Sequence, residues 1–307
     1  MINIKKTVAT GAAALTMLGA AIVPAFADTI NINFEPATYS LGNINGQDGW
    51  SKTGPFDVEV ESNTYGFTSF GTQSLRISDA IVSGSFGDQT FSKSLINASG
   101  ETSAEYGSTS GGTKQPYFEA SWDFASTVPG AEQPGLSVVA SPDRGDGARM
   151  SWVQMTDKPT GIELNFYDYQ TGIGFVQTNL ASGLDRTSVH NIKITMQFVD
   201  GVANDIVKVY VDGVLKHTGT SWEDYFRDVE GNPTRTVDSI LFRTSVASDS
   251  LGEGFLIDNF NLLSGSVPPV LVGPPTNKDE CKKDGWKTFN NPSFKNQGQC
   301  VSYANHN

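Results

Sequence analysis

Three carboxylates two residues apart, Asp57, Glu59 and Glu61 in FDVEVE, stand where the period of a strand would put them on one face. Their steps of roughly 6.6 Å would suit a glycosidase, which needs two carboxyls about 5 to 5.5 Å apart for retention or roughly 6.5 to 9.5 Å apart for inversion. An acidic strand that discourages edge-to-edge pairing would show the same spacing. On FEASWDF, Glu119 and Asp123 are four residues apart, about 13 Å of extended chain, too far for that chemistry. Histidine is scarce: with only His190, His217 and His306, neither a zinc site nor histidine-based hydrolysis has many candidate ligands, and neither CxxC nor HExxH occurs.

A second set of residues suits binding rather than cleavage. Alternation separates Trp152 and Gln154 from Val153 and Met155. It separates Glu163, Asn165, Tyr167 and Tyr169 from Leu164 and Phe166, and Lys193, Thr195 and Gln197 from Ile192, Ile194 and Met196. Tyr210 and Arg243 can join the polar side. If these strands share one sheet, Trp152, Gln154, Glu163, Asn165, Tyr167, Gln197, Tyr210 and Arg243 make a wall of rings, amides and hydroxyls. Such a wall suits sugar hydroxyls and the C–H faces of pyranose rings. Asp143 and Asp146 in SPDRGDGAR could hold a cation, although the loop has no bidentate Glu at the usual distance, and its Arg-Gly-Asp tripeptide is treated as coincidence.

The elements that must position these residues are strands. Val207, Val209 and Val211 alternate with Ile206, Lys208 and Tyr210, and Asp212-Gly213 supplies the positive dihedrals of a tight turn before Val214 to Thr218 returns. Further strands are expected over 30–34, 56–61, 74–77, 117–124, 149–155, 162–169, 191–199, 239–244 and 254–262, with one helical turn near 220–227 capped by Ser221. Many short strands and no long amphipathic helix predict an all-β, two-sheet antiparallel jelly-roll sandwich.

Lys5 and Lys6, an uncharged run and Ala25-Phe26-Ala27 predict a signal peptide over residues 1–27 and hence a secreted, extracellular product. Residues 28–264 would form the sandwich, 265–277 a Pro-rich linker, and 278–307 a small module tied by a Cys281–Cys300 disulfide over Trp286, Phe289 and Phe294. The chain carries a net charge of −12, which disfavours phosphate backbones and anionic lipid surfaces, so no nucleic-acid partner is expected. No segment after the signal is apolar enough to span a bilayer. Five lysines make the terminal module locally basic, and attachment to an acidic cell-wall polymer is one role that would fit.

VKVYVDGVL, the late GFLIDNFNL, and the opening INFE with GQDGW together resemble the concanavalin A-like lectin and glucanase superfamily, most closely its laminin-G-like jelly-roll modules. The terminal segment likewise resembles short Cys-paired tails of other secreted bacterial proteins. The superfamily resemblance implies a sugar-facing concave sheet and, in many members, a structural calcium ion held by a Glu on the first strand and an Asp on the last, here Glu35 and Asp258. Asp57, Glu59 and Glu61 depart from the Glu-x-Asp-x-x-Glu pattern of its glucanases. Its lyases would need residues such as Arg149, Gln154, His190 and Tyr210 brought together. The expectation is therefore a lectin-like protein that binds an extracellular oligo- or polysaccharide without cleaving it. A glycoside hydrolase or polysaccharide lyase on the same fold, and a surface module that binds another protein, are the alternatives.

Overall fold

The structure, a computed structural model, describes residues 28–81, 89–100, 113–147, 151–199, 203–219, 224–230, 236–244, 248, 250–266, 273–283, 285–289, 292 and 294–306. The expected signal segment, the Ser221 cap, Arg149 and part of the linker lie outside these residues. In chain order the strands are β1 (Asp28–Ile32), β2 (Gly42–Asn43), β3 (Ser51–Lys52), β4 (Val58–Ser62), β5 (Gln73–Ile77), β6 (Gln89–Phe91), β7 (Tyr117–Ser126) and β8 (Ser137–Asp143). They continue as β9 (Trp152–Lys158), β10 (Gly161–Gln170), β11 (Gly174–Leu184), β12 (His190–Gln197), β13 (Ile206–Val211), β14 (Val214–Gly219), β15 (Ser239–Arg243) and β16 (Phe255–Gly265).

They form two antiparallel layers, a jelly-roll sandwich. One sheet runs β14-β13-β12-β7-β16-β5-β4-β2 with β1 added alongside β16, and the other runs β11-β10-β9-β8-β15-β6-β3. The expected hairpin is present: Val207, Val209 and Val211 are buried, β13 pairs with β14, and Asp212 and Gly213 have φ of 50° and 76°. β2, β3, β6, β8 and β11 were not expected from the sequence. Among the described residues the helical segment runs from Asp224 to Glu230, overlapping the expected turn, whose earlier residues lie outside the described ones.

Alternating apolar residues of both sheets meet in one core. Trp122, Phe124, Ile192 and Ile194 come from one layer, and Val153, Met155, Leu164, Phe166 and Phe242 from the other. GQDGW turns out to be an anchor: Trp50 is buried against Phe34, Phe242 and Phe260, and its Nε1 donates to the Tyr39 hydroxyl, which donates in turn to Asp48. Gly254 opens β16 at φ 135°, where a Cβ would stand 2.1 Å from the Ile77 carbonyl oxygen, so only glycine fits. Cys281 and Cys300 form the expected disulfide, which with Phe294 makes a small separate core packed by Trp286, Phe289 and Tyr303 beneath the helix Gln297–His306. Among the described residues no helix is long and apolar enough to cross a membrane.

Candidate functional site

The outward side of the seven-stranded sheet gathers six of the eight expected binding residues. β9 and β10 pair so that Trp152 lies opposite Tyr167, Gln154 opposite Asn165, and Thr156 opposite Glu163. β11 adds Gln177 opposite Tyr167, Asn179 opposite Asn165, and Phe175 opposite Tyr169. A single cross-strand row therefore reads Asn179, Asn165, Gln154, Val139, Arg243, Gln89. Arg243 sits two strands from Gln154, about 10 Å away, and its Nη2 donates to the Gly147 carbonyl.

Beside this polar row runs a chain of half-buried rings. Trp152 and Tyr167 lie nearly parallel, with centroids 5.0 Å apart and planes at 16°. Phe175 is 4.6 Å from Trp152, Tyr169 is 5.4 Å from Phe175, and Tyr225 from the following helical turn is 5.4 Å from Phe175 and 5.5 Å from Tyr169. Alternation drives these rings outward, because Val153, Leu164 and Phe166 take the inward positions. The polar groups hold one another in place: Asn165 donates to Glu163, Asn179 to Asn165, the Tyr167 hydroxyl to Gln177, and Gln154 to Ser137.

Gln197 and Tyr210 do not belong to this surface. They lie on β12 and β13, in the nine-stranded layer, where Gln197 pairs with Tyr117 and Lys193 stands 5.0 Å over the Tyr210 ring. The expectation of one shared wall is corrected accordingly. Alternation specifies which way a side chain faces from its own strand, but not which of two layers the strand joins. Phe175, Gln177 and Asn179 were missed because β11 is an edge strand with Gly174 and Gly183 and no clear apolar alternation; the adjoining Tyr169-Gln170-Thr171-Gly172 turn was the available signal.

The acidic trio is spent on an arginine. Arg76, 2 % exposed, pairs through both terminal nitrogens with Asp57 at 2.7 Å, through Nε with Glu61, and at 3.8 Å with Glu59. Burial would lift the Asp57 carboxyl, but the hydrogen bonds and charge of Arg76, with the Gly252 N–H, hold it below its ordinary value. A general acid needs the opposite shift. Asp57, Glu59 and Glu61 thus form an ion-pair network rather than an acid and a nucleophile. The lyase set is also dispersed. His190 is held by Asp212 and the Asp185 carbonyl, while Gln154 and Tyr210 are on different sheets.

Glu35 and Asp258 share a neighbourhood without forming a ready cation cage. Burial raises the Glu35 carboxyl, but hydrogen bonds from the Thr72 hydroxyl and the Thr72 and Gln73 N–H groups outweigh it and leave the group below its ordinary value. Asp258, 1 % exposed, accepts the Asn259 N–H on Oδ1 and has no hydrogen-bond partner on Oδ2. Burial, reinforced by the charges of Glu35 and Asp123, pushes it up to about 8. Among the described residues no group of three or more His, Cys, Asp or Glu side chains is placed to hold a metal. Asp258 fits a hard cation, whereas Glu35 is committed to Thr72 and Gln73.

No family model matches the chain. No curated protein matches it either. Among solved structures, the chain is similar to alginate lyase Aly36B, with 11% identity, TM-score 0.46, and coverage of 77% of this chain and 96% of that one. It is similar to the Emp47p carbohydrate recognition domain, with 12% identity, TM-score 0.39 and coverage of 78% and 95%. It is also similar to the T. cruzi calreticulin globular domain, with 10% identity, TM-score 0.40 and coverage of 87% and 96%. The sheet order of the chain itself defines its fold.

Proposed function

We propose that this is an exported, non-catalytic glycan-binding protein that lays a neutral oligo- or polysaccharide across the outer face of its seven-stranded sheet. The observation that carries the reading is the half-exposed, near-parallel Trp152–Tyr167 pair beside the amide row of Asn179, Asn165 and Gln154. Rings offer apolar faces to sugar C–H groups, and adjacent amides offer donors and acceptors to hydroxyls. Glu163 accepts a hydrogen bond from Asn165 within this patch, and Asp228 accepts one from Tyr169 at the end of the ring chain. The signal-like amino terminus and the disulfide-tied tail are in keeping with an oxidising, extracellular setting.

A bound calcium ion near Asp258 is a second, structural element of the proposal, supported by the unpartnered Oδ2 of that buried carboxylate. Its test is a melt at pH 8 with added calcium and with chelator: a rise in the midpoint that is absent in Asp258→Asn supports the ion, and no rise removes it. For the glycan reading, the experiment is a glycan array probed with the full chain. Retention of one or more neutral glycans, weakened about tenfold by Trp152→Ala, is the expected result. A folded protein that retains no glycan would remove the proposal.

A further inference from the structure

Glu35, Asp123 and Asp258 share one neighbourhood at a bulge of β16 in the nine-stranded layer. Asp258 is 1 % exposed, and its Oδ2 has no hydrogen-bond partner. The register shift between Asp258 and Asn261 puts Asn259 at φ 47°, a left-handed conformation that asparagine tolerates. There the Asn259 Nδ2 donates to Asp123 at 2.8 Å and to the Ser69 carbonyl at 3.3 Å. We propose that this recess is the docking surface for the chain's own terminal module, with Lys295 as its exchangeable counter-ion, and that a divalent cation bound at Asp258 displaces the lysine and releases the module.

The module presents Lys295 for local reasons. Phe294 is buried in the module's small core, and Asn296 caps the helix Gln297–His306 by accepting the Gln299 N–H, so the exposed Lys295 between them points away from that core. Gln299 in turn accepts the Lys295 N–H at 2.6 Å, which fixes its backbone. The Lys295 Nζ stands 3.5 Å from the Ser69 carbonyl oxygen, the same oxygen that takes the Asn259 amide. Glu35 and Asp123 act against a charge on Asp258, and Lys295 offsets them. Lys282 is paired with Asp279 and Lys287 lies over Trp286, whereas Lys295 has no carboxylate partner among the described residues of its own module.

Charge and tethering favour that occupant. From Lys278 onward the module carries five lysines against three carboxylates, on a chain of net charge −12. One exposed contact of this kind is weak. The proline-rich linker over 265–277 nonetheless keeps the module at an effective concentration on the order of millimolar, so a weak contact is enough to hold it. A divalent cation brings two charges and binds carboxylate oxygens directly, so it suits the unpartnered Asp258 Oδ2 better than an ammonium held at the rim. The release step rests on the calcium ion proposed above, whereas the docking rests on the Lys295 contact.

The test is amide nuclear relaxation of the full chain, read in the helix Gln297–His306 and in β16, in chelator and with calcium chloride. In chelator the helix is expected to tumble with the sandwich. Its apparent correlation time should fall about twofold or more on adding calcium, and equally in chelator on Lys295→Glu. Lys278→Glu makes the same charge change in the module away from the contact and should leave it docked. A helix that tumbles independently of β16 in chelator, a helix that stays docked in Lys295→Glu, or equal release by Lys278→Glu would overturn the proposal. Calcium that raises the melting midpoint without releasing the helix would overturn it while leaving the ion in place. Calcium that changes neither the midpoint nor the helix would remove the ion and the release step together.

Discussion

Arg76 stands between carboxylates that could have been a catalytic pair and a network that holds β4 to β5. Glu59 and Arg76 lie opposite each other in the register, and Asp57 closes a two-pronged pair onto the guanidinium from the end of β4. Removing one member of a buried pair leaves the other charged and desolvated, so Arg76→Met is expected to cost about 3–5 kcal/mol, read as a lower urea midpoint. A cost below about 1 kcal/mol would show that Asp57 finds another partner. Asp57 is held below its unfolded value, so the stability it contributes is present at neutral pH and lost as pH falls through its folded value. Asp258 behaves in the opposite sense. Its folded value of about 8 lies above its unfolded one, so between roughly pH 4 and 8 the native state keeps a proton that the unfolded chain has released, and stability declines as pH rises. In chelator, Asp258→Asn should flatten that decline between pH 5 and pH 8; an unchanged slope in thermal midpoint would assign it to other groups.

At the scale of elements, the hairpin β13–β14 was legible, apart from the register shift between Val209 and Tyr210, because two local signals agree, a period of two and an Asp-Gly turn. β9 and β10 were legible from their period of two, which by itself gives the outward direction of Trp152, Gln154, Glu163, Asn165 and Tyr167. β8 was not, since SVVASPD carries a proline and a continuous Val-Val-Ala run, and β11 lies at an edge where it buries only Leu180 fully, with Ala181 and Leu184 partly, so alternation is weakly enforced. What no strand reveals by itself is its layer. Gln197 and Trp152 have equally clean patterns, and only long-range pairing sends β12 to β7 and β9 to β8. The Gly254 close approach was likewise invisible in sequence, because it depends on β5 passing against the start of β16. Gly254→Ala must shift the Ile77 carbonyl or break the first β16 pairings, and a loss of at least about 2 kcal/mol is expected in chemical denaturation. A loss within about 0.5 kcal/mol, the spread of neutral surface substitutions, would mean the two strands separate easily.

Across the whole molecule, the sandwich has no cysteine and is held by a continuous two-sheet core, while the terminal module has only a few rings and one disulfide. A cross-link of that loop length is worth about 3 kcal/mol, more than so small a core supplies alone. Reduction should therefore melt the helix Gln297–His306 and leave the main calorimetric transition in place; a main transition that moves with reductant would mean the two parts unfold together. Both broad outer faces of the sandwich carry amides, Asn31, Asn191 and Asn261 among those of the nine-stranded one, but the stacked aromatic rings are concentrated on the seven-stranded one, and this asymmetry is the basis for proposing that face for the glycan. The most direct measurement is the affinity of Trp152→Ala and Tyr210→Ala, each a ring removed from a different layer, for a neutral glycan retained by the full chain. If the seven-stranded face is the binding surface, Trp152→Ala loses about tenfold and Tyr210→Ala keeps its affinity; loss on Tyr210→Ala with Trp152→Ala unaffected would place the glycan on the other sheet and contradict it.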